Sequence, residues 1–156
     1  MRTILFVCTG NSCRSVMASE MLKKTLANNK KLEIISAGTS AMLGMKATEN
    51  TLNVLQKEGI NAFAHKSAPV TKDLIDKADL IFVMERFHKD RILEISPEVK
   101  PKVHLLREFQ KDPHEVVEPE VPDPIGKPME VYERSFELIK EGLENLVKWL
   151  KENGWA

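Results

Sequence analysis

The stretch Thr3-Ile4-Leu5-Phe6-Val7-Cys8-Thr9-Gly10-Asn11-Ser12-Cys13-Arg14-Ser15 changes character at its middle. Its first half is a β-branched and aromatic run of the kind that fills a strand buried on both faces. The Thr-Gly-Asn-Ser cluster then turns the chain. From Ser15 to about Leu26 the residues Met17, Met21, Leu22 and Leu26 recur on one helical face. A buried strand passing at once into a helix is the opening of a parallel βαβ unit.

The alternation continues downstream. Leu32 to Ala37 reads as a second strand stopped by Gly38, and Thr48 to Glu58 as a helix with Gly59 as its C-terminal cap. Thr71 caps a short helix carrying Leu74, Ile75 and Ala78. Leu80 to Met84 is a third strand, Glu85 to Ile95 a helix stopped before Pro97, and Lys102 to Leu106 a fourth strand. Residues 107 to 127 hold Pro113, Pro119, Pro122 and Pro124, which predicts a long loop without regular structure. Tyr132, Phe136, Ile139, Leu143, Leu146, Val147 and Leu150 mark a long final helix. The pattern predicts an α/β fold: a small doubly wound four-stranded parallel sheet with helices on both faces. Ligands of such sheets bind beyond the carboxyl ends of the strands, which directs attention to the loop after strand one.

At 156 residues and 17.7 kDa the chain is expected to form one domain over residues 1–156. Its 23 Lys+Arg balance 23 Asp+Glu, so no global basic field exists to attract nucleic acid or an anionic membrane. The N-terminal apolar run is too short for a signal peptide, and no stretch approaches a membrane span. With only Cys8 and Cys13, the chain lacks a secreted disulfide framework and reads as cytoplasmic. A monomer or weak dimer is expected.

The segment Cys8 to Ser15 carries the chemistry. A loop of that length, from a strand end to a helix start, can curl its backbone N–H groups inward as a phosphate-binding cradle for a tetrahedral oxyanion. Gly10 and Asn11 are the residue types that tolerate the positive φ such a curl needs. Cys8 at the floor would have negative charge on its sulfur stabilised by those donors, the helix dipole and Arg14, making it a nucleophile. Arg14 offers a planar fork for two phosphate oxygens, and Ser15 can donate a hydroxyl bond to the thiolate. A bare Cys-x5-Arg is a weak signal. A merely structural Cys8 beside a helix-capping turn, however, would not explain why Gly, Asn, Arg and Ser all fall at useful positions.

Cys8-Thr9-Gly10-Asn11-Ser12-Cys13-Arg14-Ser15 resembles the signature of the low-molecular-weight protein tyrosine phosphatase family. The resemblance extends over nearly the whole chain, through Ser36-Ala37-Gly38-Thr39, Ala78-Asp79-Leu80, Met84 followed by His88, and Asp123-Pro124 upstream of Tyr132. It implies a phosphatase acting on phosphorylated protein side chains through a cysteinyl-phosphate intermediate, with Thr9, Gly10, Asn11, Ser12, Cys13 and Ser15 as the substrate cradle. It also implies Asp123 as general acid. Phosphoryl transfer to sulfur needs a proton for the leaving atom, and Pro122 and Pro124 stiffen the backbone around Asp123. Asp-Pro is also a common turn pair, and Asp112 and Glu120 are fallback acids. In the family a cysteine at the position of Cys13 can form a reversible disulfide with the nucleophile; the alternative is a packed loop residue. The four histidines have no metal-ligand spacing, and His88 reads as structural support. Met42 to Met45 either lines the pocket mouth or is loose surface.

Departures from the family pattern bear on substrate. The aromatic walls usual in tyrosine-directed members are missing from Ser40-Ala41-Met42-Leu43 and from Ile125-Gly126-Lys127. Ser12 stands where tyrosine phosphatases carry an aliphatic residue and the family's protein arginine phosphatases carry threonine. Val16 replaces a proline and Ser19 a glutamate, neither near the chemistry. Phosphotyrosine is the first expectation and phosphoarginine the alternative. A phosphocysteine phosphocarrier has no need of Asp123-Pro124. An arsenate reductase on this fold needs cysteines beyond Cys13, which are absent, and a phosphate-sensing module would be expected to lose Cys8, Arg14 or Asp123. No metal or organic cofactor is implied, because thiolate, arginine and backbone amides supply nucleophile and electrostatics. G-x-G-x-x-G and G-x-x-x-x-G-K-[ST] nucleotide loops are not present in this segment.

Overall fold

A computed structural model describes all 156 residues, Met1–Ala156. The chain runs β1 (Arg2–Cys8), α1 (Arg14–Thr25), β2 (Leu32–Gly38), α2 (Glu49–Lys57), α3 (Lys72–Lys77), β3 (Leu80–Val83), α4 (Arg86–Ile95), β4 (Val103–Leu105) and α5 (Met129–Glu152). The four strands form one parallel sheet in the order β2-β1-β3-β4. From β1 the chain winds to β2 on one side, and from β3 it continues on the other. The carboxyl end of β1 is therefore the switch point, where the strands' outgoing loops part and leave a crevice.

The apolar run of β1 divides by pleat. Ile4, Phe6 and Cys8 join Val16, Met17 and Leu22 of α1 and Leu138, Ile139 and Leu146 of α5 in one core. Leu5 and Val7 face the opposite side, against Ile75 of α3 and Ile92 of α4. Ile4, Leu5, Phe6 and Val7 are completely buried, which is why no hydrophobic alternation shows in the sequence of this strand. Thr48 and Thr71 cap α2 and α3 by accepting from the amides of Thr51 and Leu74, and Gly59 takes a φ of 75° past the end of α2.

The predicted structureless loop after β4 is more ordered than its proline content suggests. Single 3-10 turns occupy Leu106–Glu108 and Pro113–Glu115, and a longer 3-10 segment, Pro97–Lys102, leads into β4. Pro113 takes the first position of its turn, where its fixed φ is favourable and its missing N–H is not needed, while Asp112 caps it by accepting from the His114 amide. An edge-to-face contact between Phe82 and Phe109, 4.9 Å between centroids, anchors the loop's start to the sheet. Arg107 then fixes its course, donating to the carbonyls of Val117, Glu118 and Leu138. No helix is long and apolar enough to cross a membrane.

Candidate active site

The loop from Cys8 to Arg14 lies at the switch point, and each of its side chains has a distinct environment. The Cys8 sulfur is buried, 3.0 Å from the Ser15 hydroxyl oxygen. Asn11 has a φ of 51°, the left-handed conformation for which its residue type is suited. Its side chain ties the cradle together. The amide nitrogen donates to Ser15 Oγ at 2.8 Å and Ser36 Oγ at 2.9 Å, and the amide oxygen accepts from the Ala68 N–H at 2.9 Å. Because Asn11 fills an acceptor site on Ser15, the Ser15 proton is free to point at Cys8.

Gly10 departs from expectation. It does not adopt a positive φ, and an added Cβ would stand 3.3 Å from Ser12 Oγ, the end of a side chain that can rotate away. The glycine that the cradle most needs is Gly38. A side chain there would collide with the Thr9 carbonyl and lie 2.8 Å from the Asn11 amide nitrogen, so only glycine lets the end of β2 press against the loop. Thr39 and Ser40 complete the seam by donating from their amides to the carbonyls of Cys8 and Thr9, each at 2.9 Å.

Arg14 is 1% exposed, and its guanidinium is held at several points. Nη1 donates to the Glu85 carboxylate and, at 2.9 Å, to the Val121 carbonyl. Nη2 lies 3.4 Å from Thr9 Oγ1 and 3.5 Å from Asp123 Oδ2. Its buried Nε–H has no protein acceptor. Arg14 thus pins Val121, whose own amide donates to the Met84 carbonyl at 2.9 Å, and so carries the Pro-rich loop and Asp123 up to the cradle. Asp123 accepts from the Ile125 amide through Oδ1 at 3.0 Å, which leaves Oδ2 as the oxygen on the Arg14 side. The fallback acids are engaged elsewhere, Asp112 in capping its 3-10 turn and Glu120 in accepting from the Arg86 amide at 2.7 Å.

Cys13 is placed differently from the other predicted cradle residues. Its sulfur sits 3.4 Å from Thr48 Oγ1 and 3.7 Å from the Tyr132 hydroxyl, against the α2 cap and α5, and both cysteines are free thiols. Burial raises the Tyr132 phenol above its ordinary value, so it stays protonated beside this thiol. Met42, Leu43 and Met45 are well exposed, while the loop carrying them is tied at Ser67, which accepts from the Gly44 amide at 2.8 Å and donates to the Met45 carbonyl at 2.7 Å.

Several participants were not legible as such in the sequence. His65 donates from Nε2 to the Asn11 carbonyl at 2.8 Å, Ser36 supports Asn11, and Glu85 pairs with Arg14. Ser36 lay within a stretch that carries the family resemblance, though with no role attached, and Glu85 stands three residues before His88 where a helix follows a strand, the spacing of a capping box. His88 is fully buried, and that burial, followed by the Arg14 charge, pushes it down to about 3 and keeps it neutral.

A parallel sheet of four strands, with a cysteine, an arginine and a curled loop at its switch point, defines a class of oxyanion-handling cysteine proteins. The chain belongs to the low molecular weight phosphotyrosine protein phosphatase family, whose model matches residues 3–155; it is a cysteine phosphatase and hydrolase of that family. A protein-arginine-phosphatase of Geobacillus stearothermophilus is 40% identical over 152 residues, covering 96% of this chain and 93% of that one. A low molecular weight phosphotyrosine phosphatase of Vibrio cholerae superposes with a TM-score of 0.88 at 31% identity, covering 99% of each chain. A YwlE arginine phosphatase mutant with a phosphorylated active-site serine superposes with a TM-score of 0.85 at 33% identity, covering 96% of this chain and 95% of that one.

Proposed function

We propose that the chain acts as one unit, in a reducing cytoplasm, to hydrolyse phosphorylated protein side chains with Cys8, Arg14 and Asp123 as its catalytic residues. The observation that carries this reading is the state of Arg14. Its Nη1 is committed to Glu85 and Val121, while the buried Nε–H is left without a protein acceptor. A buried donor left unpaired is costly unless something else accepts from it, and a phosphate oxygen in the adjoining cradle is of the right charge and shape.

In the first step the Cys8 thiolate attacks phosphorus, an S–P bond forms, and the bond from phosphorus to the leaving oxygen or nitrogen breaks. Asp123 gives its proton to the leaving atom. In the second step water attacks phosphorus and Asp123 takes its proton; the S–P bond breaks and returns the electron pair to sulfur. The Ser15 hydroxyl stabilises the thiolate both before attack and as it departs. Arg14 and the loop amides follow the charge on the equatorial oxygens. The phosphorylated serine in the neighbouring arginine phosphatase mutant supports a covalent phosphoryl enzyme at this position.

Phosphotyrosine is the first substrate expectation. Phosphoarginine is favoured as a second reading by Ser12, a half-buried hydroxyl in the cradle where an aliphatic side chain could only pack. It is also favoured by the exposed aliphatic loop Met42-Leu43, which offers no aromatic wall, and by the arginine phosphatase relative.

The test is phosphate release from phosphotyrosine and phosphoarginine peptides side by side under reducing conditions, with Cys8→Ser as the blank. Turnover of either by the wild type alone supports the mechanism, and the ratio of the two kcat/KM values assigns the substrate. Acid quenching during turnover should trap a protein heavier by one phosphoryl group, absent from a Cys8→Ala variant. Failure of both substrates above the blank would leave the phosphocarrier or phosphate-sensor reading as the better account of the loop.

A further inference from the structure

Resting on the reading of the Cys8 to Ser15 loop as a phosphate cradle, we propose that Glu85 and His88 are positioning residues, a reciprocal clamp at the start of α4 that sets Arg14 and Thr9 relative to one another. The clamp is visible as a closed set of bonds. The Glu85 amide donates to His88 Nδ1 at 3.0 Å, and the His88 amide donates in return to the Glu85 carbonyl at 3.1 Å. Each residue then reaches outward from this box. Glu85 Oε1 accepts from Arg14 Nη1, and His88 Nε2 lies 2.9 Å from Thr9 Oγ1.

The direction of every bond follows from chemistry. The Glu85 amide can only donate, so Nδ1 of His88 is the acceptor and the ring proton of the neutral imidazole is on Nε2. His88 therefore donates to the Thr9 hydroxyl, which also receives Arg14 Nη2 at 3.4 Å. Thr9 is the second residue of the cradle and Arg14 the seventh, so α4 holds both ends of the loop through two neighbouring side chains. The Phe87 ring lies against that of His88, 4.2 Å between centroids and tilted by 45°. Arg14 is 1% exposed and the Glu85 side chain 21%, so water competes little for these bonds. A helix cap alone would require no outward contacts. The two that exist both end on residues of the oxyanion site.

The experiment measures inorganic phosphate binding by calorimetry in the full chain, with unfolding midpoints recorded for every variant. His88→Asn keeps an acceptor near Nδ1 but is too short to reach Thr9, whereas His88→Gln carries an amide N–H near the position of Nε2. His88→Asn and Thr9→Val are each expected to weaken phosphate binding about tenfold, the scale of one lost hydrogen bond. The double variant is expected to be no weaker than the weaker single, since both changes remove the same contact, and His88→Gln should recover most of the affinity. Glu85→Gln should weaken binding by releasing Arg14. Its unfolding midpoint should fall less than that of Glu85→Ala.

The clamp is overturned if a folded His88→Asn binds phosphate as the wild type does, if the losses in the double variant multiply, or if the wild type does not bind phosphate. Should His88→Asn fail to fold, Thr9→Val and Glu85→Gln decide by the same criteria. Turnover of p-nitrophenyl phosphate, measured separately, tests the phosphatase mechanism: a protein that binds phosphate with the expected coupling yet shows no turnover defeats that mechanism and leaves the clamp standing.

Discussion

The Ser15 hydroxyl lies 3.0 Å from the Cys8 sulfur, and it is aimed there by Asn11, whose amide nitrogen occupies the hydroxyl's acceptor side at 2.8 Å. A single proton donor is thereby oriented toward the nucleophile before any substrate arrives, so no reorganisation is needed when the sulfur regains its charge.

Ser15→Ala is expected to lower kcat about tenfold to a hundredfold, the worth of one hydrogen bond to a charged partner, with a smaller change in KM. Stopped-flow measurement should show both phosphorylation and dephosphorylation slowed. An effect confined to KM would assign Ser15 to substrate binding instead.

Asp123→Asn keeps an oxygen for the Ile125 amide but has no proton to give. Its kcat should fall roughly a hundredfold to ten-thousandfold on esters with basic leaving groups and much less on p-nitrophenyl phosphate. The check is the slope of log kcat/KM against leaving-group pKa, which should steepen in the variant. A uniform drop along the series would remove Asp123 from the acid role.

Gly38→Ala should destabilise the fold by about 1–3 kcal/mol, because the new methyl group meets the Thr9 carbonyl and the Asn11 amide, backbone atoms that cannot swing aside. Urea unfolding gives the loss, and phosphate affinity should drop with it. Gly44→Ala is a control of a different kind, with open space around its Cβ but a φ of 85°, so it carries only the conformational cost.

His88 supplies a stability profile whose sign is fixed. Its folded value of about 3 lies below the ordinary 6.5, so between these limits the unfolded chain binds a proton that the folded chain refuses. The contribution is fully present above about pH 6.5 and is lost as pH falls, at up to about 1.4 kcal/mol per pH unit. Burial also lowers His104, which adds a second loss of the same sign. Denaturant unfolding between about pH 6 and pH 4 should therefore show a shallower decline for His88→Asn than for the wild type. Parallel curves would show that His88 titrates freely in the folded protein.

What the sequence by itself determined was local. Thr3 to Cys8 has no alternation and must be covered on both faces, which forces helices onto both sides of a parallel sheet. Cys8, Asn11, Arg14 and Ser15 share one short loop, so their convergence needs only a curl whose residue types are written in order. Asp123-Pro124 was legible as a candidate acid through its resemblance to a known pattern; its distance from Cys8 in the chain gave no spacing to read. The tertiary structure alone decided which partners these residues keep. Glu85, His65, Ser36 and Val121 come from four other segments, and nothing in their local sequence says which group they will face. It likewise turned Cys13 toward Thr48 and Tyr132 and made Gly38, not Gly10, the indispensable glycine. Local pattern records burial and conformational preference within a few residues, whereas a hydrogen bond across seventy residues depends on how whole layers come to rest. That docking places Glu85 against Arg14 and His88 against Thr9.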